Sequence, residues 1–328
     1  MQSYWMQMSD EATVLEIRDT AVPQPGANQL LVRMRAASLN RGEFVSGHGL
    51  HGQAGGWKAI GGEGAGEVVA VGAEVTRFRA GDRVMGRCAG AFAEYALMED
   101  IEAMAMPSSL SWEEAASVAL TFLVSYDMLV LQGRLRAGDW VLINGVSSGV
   151  GVASLQLAKA LGAKVIGTSG SADKLALLQS LGLDVAICTR TPDFAAAVLE
   201  VTQDQGADIV INTVGGTVFA ENIRAMAFEG RLATVGYVDG VVKAELDLAA
   251  LHAKRLAVFG VSNKLRSKAQ RAAALPAFVA DVLPHIAAGR IKPHVDRVFD
   301  FARLQEAKDR MEAGGHVGKI VLRMPPAG

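Results

Sequence analysis

The sequence predicts an α/β chain in two parts, a small β-barrel-type domain and a doubly wound parallel sheet. Three observations predict it. Short β-type runs separated by Gly and Pro fill residues 1–111. Strand and helix patterns alternate over 112–263, as they do when helices cover both faces of a parallel sheet. Within that region, Val141 to Lys174 reads as strand, Gly-bearing turn, helix and second strand.

The elements follow in order. In the first part, Leu30-Leu31-Val32-Arg33-Met34, Gly66-Glu67-Val68-Val69-Ala70-Val71 and Asp82-Arg83-Val84-Met85 are strand-like, punctuated by Pro23, Pro25, Gly61, Gly62 and Gly81. Tyr4-Trp5-Met6 and Val14-Leu15-Glu16-Ile17 carry the same signal before them. In the second part the expected strands are 141–143, 163–168, 185–187, 208–212, 231–235 and 256–260. A helix over 270–289 and strands at 295–299 and 319–322 are expected to return to the first domain, so that 264–328 completes it.

The unit from Val141 to Lys174 has the context in which a glycine-bearing turn binds a dinucleotide. Small residues let the backbone approach a pyrophosphate, and the helix start offers N–H groups and a positive dipole end. Ser148, Gly149, Val150 and Gly151 are the expected phosphate contacts. The second strand ends in Thr168-Ser169-Gly170-Ser171-Ala172-Asp173-Lys174, without the tip acid that accepts hydrogen bonds from the ribose of NAD. Hydroxyls and a cation suit a 2′-phosphate instead. Lys174 is the leading candidate, because helix starts disfavour a cation with no anion nearby. Ser169, Ser171 and Arg190 would assist, and NADPH is the expected cofactor.

Composition excludes several classes. Half the residues are hydrophobic and the net charge is −2, so there is no nucleic-acid or polybasic membrane footprint. The most apolar segment, Ala115 to Leu131, is interrupted by Ser117, Thr121, Ser125 and Asp127 and reads as a core helix, too interrupted to span a bilayer. No signal-peptide pattern opens the sequence, and Cys88 and Cys188 form neither a disulfide framework nor a metal cluster. A cytoplasmic location is expected.

These residues carry a family resemblance over essentially the whole chain. Val22-Pro23-x-Pro25-Gly26 precedes Ala37-Ser38-Leu39-Asn40-Arg41-Gly42-Glu43, then Gly61-Gly62-Glu63-Gly64-Ala65-Gly66-Glu67-Val68-Val69 and Ala80-Gly81-Asp82-Arg83-Val84. Ala91-Phe92-Ala93-Glu94-Tyr95, the nucleotide unit, Gly289-Arg290-Ile291-Lys292-Pro293 and Gly318-Lys319-Ile320-Val321-Leu322 follow. The order resembles the medium-chain dehydrogenase/reductase superfamily, in its zinc-free, zeta-crystallin-like quinone oxidoreductase branch. The resemblance implies a GroES-like catalytic domain joined to a Rossmann domain.

Departures refine the expectation. The zinc-dependent members have a His before the Glu at position 63, where this chain has Gly62, and a Cys near Asn40, where it has none. His48 and His51 lie in a Gly-rich stretch without a thiolate, and no metal site is expected. Val146 and Ser148 stand where the usual turn has glycines, which resembles the short-chain dehydrogenases. That family needs a Lys four residues after a catalytic Tyr, but Tyr4, Tyr95, Tyr126 and Tyr237 are followed there by Met8, Glu99, Val130 and Val241.

Without a Lewis acid, hydride must go to an acceptor that is already conjugated, such as a quinone, an α,β-unsaturated carbonyl or an enoyl thioester. The resemblance implies Asn40 beside the nicotinamide and substrate, with turn-capping as its alternative role, and Tyr126 facing the cofactor. Glu43 reads as a helix-start carboxylate. Where several relatives carry a Tyr, this chain has Val45, so solvent is the expected proton source. Gly215-Gly216, Gly236, Tyr237, Phe259 and Val261 are expected on the cofactor side, at strand carboxyl ends. Phe44, Leu50, Trp57 and Phe92 are expected to line a pocket for a small apolar acceptor. The resemblance implies a homodimer joined at the edge strand 256–261, whose apolar rim would otherwise invite indiscriminate pairing. An enoyl-thioester reductase and a low-turnover NADPH-binding sensor or structural protein are the alternatives.

Overall fold

The computed structural model describes residues 1–8, 13–44 and 55–325. Val45, His48, Leu50 and His51 lie outside the described residues. The chain divides into two units, residues 1–123 with 263–328, and residues 124–262.

The second unit is built on a six-stranded, all-parallel sheet. Its spatial order is Val185–Cys188, Lys164–Ser169, Trp140–Asn144, Ala207–Asn212, Met226–Thr234 and Ala257–Gly260. The chain starts in the middle, winds to one edge, then returns to wind to the other. Successive parallel strands need crossovers, and the helices Gly149–Ala160, Ala172–Ser180, Ala195–Val201 and Phe219–Ala225 supply four of them. Leu142, Ile166, Val210 and Leu232 of the strands pack against Phe194, Val198 and Ile223. Every expected strand of this sheet is present, because buried parallel strands read as continuous apolar runs.

The first unit contains two sheets. A three-stranded sheet runs Thr13–Asp19, Gln2–Met8, Gly55–Ala59. A seven-stranded sheet runs Val295–Asp300, Lys319–Arg323, Gln29–Ser38, Glu63–Val71, Arg83–Arg87, Ala103–Ala105, with Tyr95–Glu99 also paired to Gln29–Ser38. The returning strand Lys319–Arg323 is antiparallel to Gln29–Ser38, with Val321 opposite Ser38. Tyr4, Met6, Leu30, Val32, Phe44, Phe92, Phe299 and Leu322 share its core.

Two boundaries differ from the sequence reading. The first unit extends to Leu123 rather than 111, because the helix Trp112–Ala115 packs on the large sheet and the N–H of Leu120 donates to Glu63. The expected helix over 270–289 is three short ones, Lys268–Ala272, Leu275–Asp281 and Leu283–Ala287. Pro276 and Pro284 each stand in the first turn of a new helix, where a missing N–H costs nothing. No helix among the described residues is long and apolar enough to cross a membrane.

Candidate functional site

In the second unit the expected cofactor contacts collect at the carboxyl ends of the strands. The strand Trp140–Asn144 runs into Gly145, whose φ of +69° turns the chain where a Cβ would meet the Thr213 hydroxyl at 2.4 Å. Ser148 caps the following helix, its Oγ accepting from the N–H of Gly151 at 3.0 Å. A Cβ on Gly151 would stand 2.6 Å from the carbonyl oxygens of Gly145 and Val146, so only glycine lets the helix lie this close to the turn. Gly149 and Val150 hold the first-turn N–H groups that such a helix offers to a ligand.

Beneath the turn is a buried amide and hydroxyl network that the sequence did not announce. Asn144 Nδ2 donates to Asn222 Oδ1, Thr168 Oγ1 donates to Asn144 Oδ1 at 2.9 Å, and Thr213 Oγ1 donates to the Asn144 carbonyl at 2.7 Å. Asn212 holds the next turn, its Oδ1 accepting from the N–H groups of Val214 and Gly215. Asp239 reaches back over Gly215 to accept from the N–H and hydroxyl of Thr217, and these bonds hold its carboxyl below the usual range against the effect of burial. Gly236 lies against the Thr213 carbonyl. Tyr237 is exposed, Phe259 half-buried and Val261 buried.

The tip of the strand Lys164–Ser169 gathers hydroxyls and cations. Ser171 caps the helix Ala172–Ser180 by accepting from the N–H of Lys174, and the N–H of Ser171 donates to Ser169 Oγ at 3.3 Å. The Arg190 side chain lies across Gly170, where a Cβ would stand 2.8 Å from its Cγ and 2.9 Å from its Cζ. The structure therefore brings Ser169, Ser171, Lys174 and Arg190 to one place. Asp173 sits one step into the helix, not at the strand tip. The residues present fit a dinucleotide.

Tyr126 is 2% exposed, in the core at the end of the helix Ala119–Tyr126. The expected pocket residues need correction. Phe44 and Phe92 are buried and stacked on each other, 6.3 Å between centroids, as core rather than lining. Trp57 lies under the Arg18 guanidinium at 4.2 Å in the three-stranded sheet. Aromatic side chains of a small β domain are needed first to fill its interior.

In the first unit, four polar side chains from three separate segments form one buried network. Glu63 is fully buried, Glu43 is 2% exposed and Lys319 is 5% exposed. Lys319 Nζ donates to Glu63 Oε1 at 2.9 Å, Asn40 Oδ1 at 2.7 Å and the Leu39 carbonyl at 2.9 Å. Glu63 Oε1 also accepts from Ser38 Oγ at 2.7 Å, and its Oε2 accepts from the N–H of Leu120 at 2.6 Å. Asn40 Nδ2 donates to both Glu43 Oε1 and Glu63 Oε1 at 3.1 Å. An amide oxygen toward the ammonium and an amide nitrogen toward two carboxyls is the one orientation the charges permit. Asn40 starts the short 3-10 turn Arg41–Glu43 without a side-chain cap, and both its amide hydrogens are committed inward.

Glu43 stands in the first turn of that 3-10 helix, as its position implied, and its carboxyl is turned into the interior. Its Oε1 accepts from Asn40 and from the N–H of Gly62 at 3.0 Å, while its buried Oε2 has no hydrogen-bond partner among the described residues. Burial raises its pKa to about 7, against the lowering effect of the Asn40 hydrogen bond and of Lys319. Part of the signal for this network was present in sequence: Glu63 follows Gly61-Gly62 and Lys319 stands between Gly318 and Ile320, each a charge in an apolar or glycine-rich setting.

The same residues do not fit a catalytic zinc ion. At Gly62 there is no ligand side chain, and a Cβ there would stand 2.8 Å from Glu43 Oε1. The Lys319 ammonium already neutralises Glu63, and a dication beside it would be repelled. Among the described residues no group of three His, Cys, Asp or Glu could hold a metal.

Comparison with known proteins agrees with this architecture. Residues 26–108 match the family model described as alcohol dehydrogenase GroES-like domain, and residues 149–278 match that described as zinc-binding dehydrogenase. The quinone oxidoreductase of Pseudomonas aeruginosa is 32% identical over 311 residues, covering 94% of this chain and 95% of that one. A mycobacterial protein solved in complex with NADPH superposes with a TM-score of 0.87 at 28% identity, covering 98% and 99% of the two chains. The CurK enoyl reductase superposes with a TM-score of 0.84 at 25% identity, covering 99% and 100%. Some curated relatives are far longer: the chain spans 14% of a phenolphthiocerol/phthiocerol polyketide synthase of Mycobacterium tuberculosis, at 32% identity over 96% of its own length. A GroES-like unit, a parallel sheet carrying a dinucleotide turn, and a full-length 32% identical relative lead to one assignment. The chain belongs to the medium-chain dehydrogenase/reductase superfamily, in its quinone oxidoreductase branch.

Proposed function

We propose that this oxidoreductase is an NADPH-dependent, zinc-independent reductase of quinones or other conjugated carbonyls. The observation that carries the reading is the Lys319–Glu63–Asn40–Glu43 network. It places an internal ammonium and two carboxyls among residues where a zinc-dependent relative would need ligands. An acceptor reduced here must take hydride without a metal, which favours conjugated carbonyls over saturated ones.

The hydroxyl and cation cluster at Ser169, Ser171, Lys174 and Arg190 supports NADPH, since each would bind a 2′-phosphate and no strand-tip acid would repel it. Gly149 and Val150 would hold the pyrophosphate at the helix start, with Gly215, Gly236, Tyr237, Phe259 and Val261 toward the nicotinamide. When bound, the dihydronicotinamide supplies the hydride. Asn40 would act beside the acceptor, held by the hydrogen bonds of its own amide to Lys319, Glu63 and Glu43. Tyr126 would shape the cofactor's surroundings from within the core. The edge strand Ala257–Gly260 supports a homodimer, because no strand among the described residues pairs with its outer rim and Val258 is 41% exposed.

A carrier-bound enoyl thioester is the second reading, favoured by the likeness to an enoyl reductase. The test is NADPH oxidation by EDTA-treated protein with 1,4-benzoquinone, an enone, an enoyl thioester and a saturated aldehyde in parallel. Turnover of the conjugated acceptors without the aldehyde is expected. Turnover of the aldehyde alone would overturn the mechanism, and tight NADPH binding with no turnover would leave a binding protein.

A further inference from the structure

In the second unit, uncommitted hydrogen-bond donors surround one glycine at the tip of the strand Lys164–Ser169. Ser169 Oγ accepts from the N–H of Ser171 at 3.3 Å, and Ser171 Oγ accepts from the N–H of Lys174 at 3.4 Å. Each hydroxyl keeps its own hydrogen, which no acceptor among the described residues takes. The Arg190 guanidinium is exposed and likewise has no hydrogen bond or ion pair among the described residues.

The loop that carries Arg190 is fastened on both sides of it. The N–H of Thr189 donates to the Ser169 carbonyl at 3.0 Å, and the N–H of Thr191 donates to Thr189 Oγ1 at 3.0 Å. Thr189 Oγ1 donates in turn to Asp193 Oδ1 at 2.9 Å, so this carboxylate is engaged within the loop and leaves Arg190 alone. Gly170 sets the direction of the arginine side chain. The atoms nearest a Cβ at that position would be Arg190 Cγ at 2.8 Å, Cζ at 2.9 Å and Nε at 3.0 Å. Near-equal distances along the side chain mean that it lies flat across the glycine. Gly170 is not in the left-handed region, so its own backbone does not demand glycine; the arginine does.

We propose that Gly170 is a specificity-determining residue for the cofactor. It seats the Arg190 guanidinium over the strand tip, where the guanidinium and the Ser169 and Ser171 hydroxyls together take the 2′-phosphate of NADPH. The assignment rests on the reading of NADPH as the cofactor. A guanidinium presents a planar fork of donors that matches phosphate oxygens. Held against the strand tip before the ligand arrives, it loses less freedom on binding. The 2′-hydroxyl of NADH has neither the charge nor the oxygens to use these donors. A side chain at position 170 would lift the guanidinium away while leaving the turn at Gly145 to Gly151 as it is.

The test is fluorescence titration with NADPH and NADH of the wild type, Gly170→Ala, Arg190→Ala and the double variant. A Cβ at 170 meets a long, flexible side chain first, so Gly170→Ala should unfold in urea as the wild type does. Each single variant should bind NADPH about tenfold or more weakly, the loss expected for a charge-assisted hydrogen bond. NADH affinity should change by less than about threefold in both. Because the glycine acts through the arginine, the double variant should bind NADPH no more weakly than Arg190→Ala alone. Losses that multiply in the double variant, or that fall equally on NADH, would place the effect in the strand tip itself and overturn the assignment. So would Gly170→Ala binding NADPH within about threefold of the wild type. A wild type that binds NADH as tightly as NADPH overturns the cofactor reading, and the assignment with it.

Discussion

Glu43 makes the pH dependence of stability a direct measure of its surroundings. Its carboxyl titrates at about 7 in the folded chain and near 4.5 when unfolded. The folded state therefore holds the proton longer, and its stability is fully present below pH about 4.5 and is lost as pH rises through about 7. The shift of roughly 2.5 units at 1.36 kcal/mol each sets the loss at about 3 kcal/mol by pH 8. Glu43→Gln replaces the neutral acid by a neutral amide of the same shape, so the two proteins should be similarly stable at pH 4.5. By pH 8 the variant should lead by about 3 kcal/mol. Urea titrations at half-unit steps, read from the fluorescence of the first unit, would give the difference; three of the four tryptophans, Trp5, Trp57 and Trp112, belong to that unit. Other titrating groups are common to both proteins and cancel. Parallel stability curves from pH 4.5 to 8 would refute the account of Glu43 as a buried acid with a raised pKa.

Three further outcomes test other parts of the molecule. Lys174→Ala should weaken NADPH more than tenfold in fluorescence titrations while barely changing NADH, since a charge-assisted phosphate contact contributes about 1.5–3 kcal/mol; equal losses would remove the phosphate role. Lys319→Met leaves Glu63 buried without its cation and should cost about 3–5 kcal/mol in unfolding experiments, most of it recovered in the double variant with Glu63→Gln. Val258→Asp puts a charge on the exposed edge strand and should convert a dimer to monomer in sedimentation velocity; an unchanged sedimentation coefficient would rule out that edge as the contact.

The legible parts of the fold are those encoded locally. The parallel strands announce themselves because each is an apolar run, and the turn at Gly145 to Gly151 because helix and backbone can meet there only without side chains. The break of the 270–289 segment was readable at Pro276 and Pro284, although its apolar spacing favours one long helix. What could not be read is long-range. Nothing near Glu63 in sequence signals that its partner lies at 319, and nothing near Glu43 signals that its carboxyl turns inward to Gly62. Phe44 and Phe92 show the converse error: apolar character assigns a residue to a surface of contact, but only packing decides whether that surface is a pocket or a core. The polar tip at Ser169 to Lys174 was legible because strand, cap and helix start are consecutive.

The strand that delivers Lys319 also has a temporal meaning. It pairs beside Gln29–Ser38, yet the whole second unit stands between the two in sequence. During synthesis, the segments bearing Glu43 and Glu63 emerge first, and the counter-cation follows 256 residues after Glu63. Closure over such a separation is slow. Until then burying Glu63 would leave its charge unmatched, which works against early closure of the first unit's interior around it. Burial of Glu63 with its charge matched therefore waits until the strand carrying Lys319 has followed the second unit.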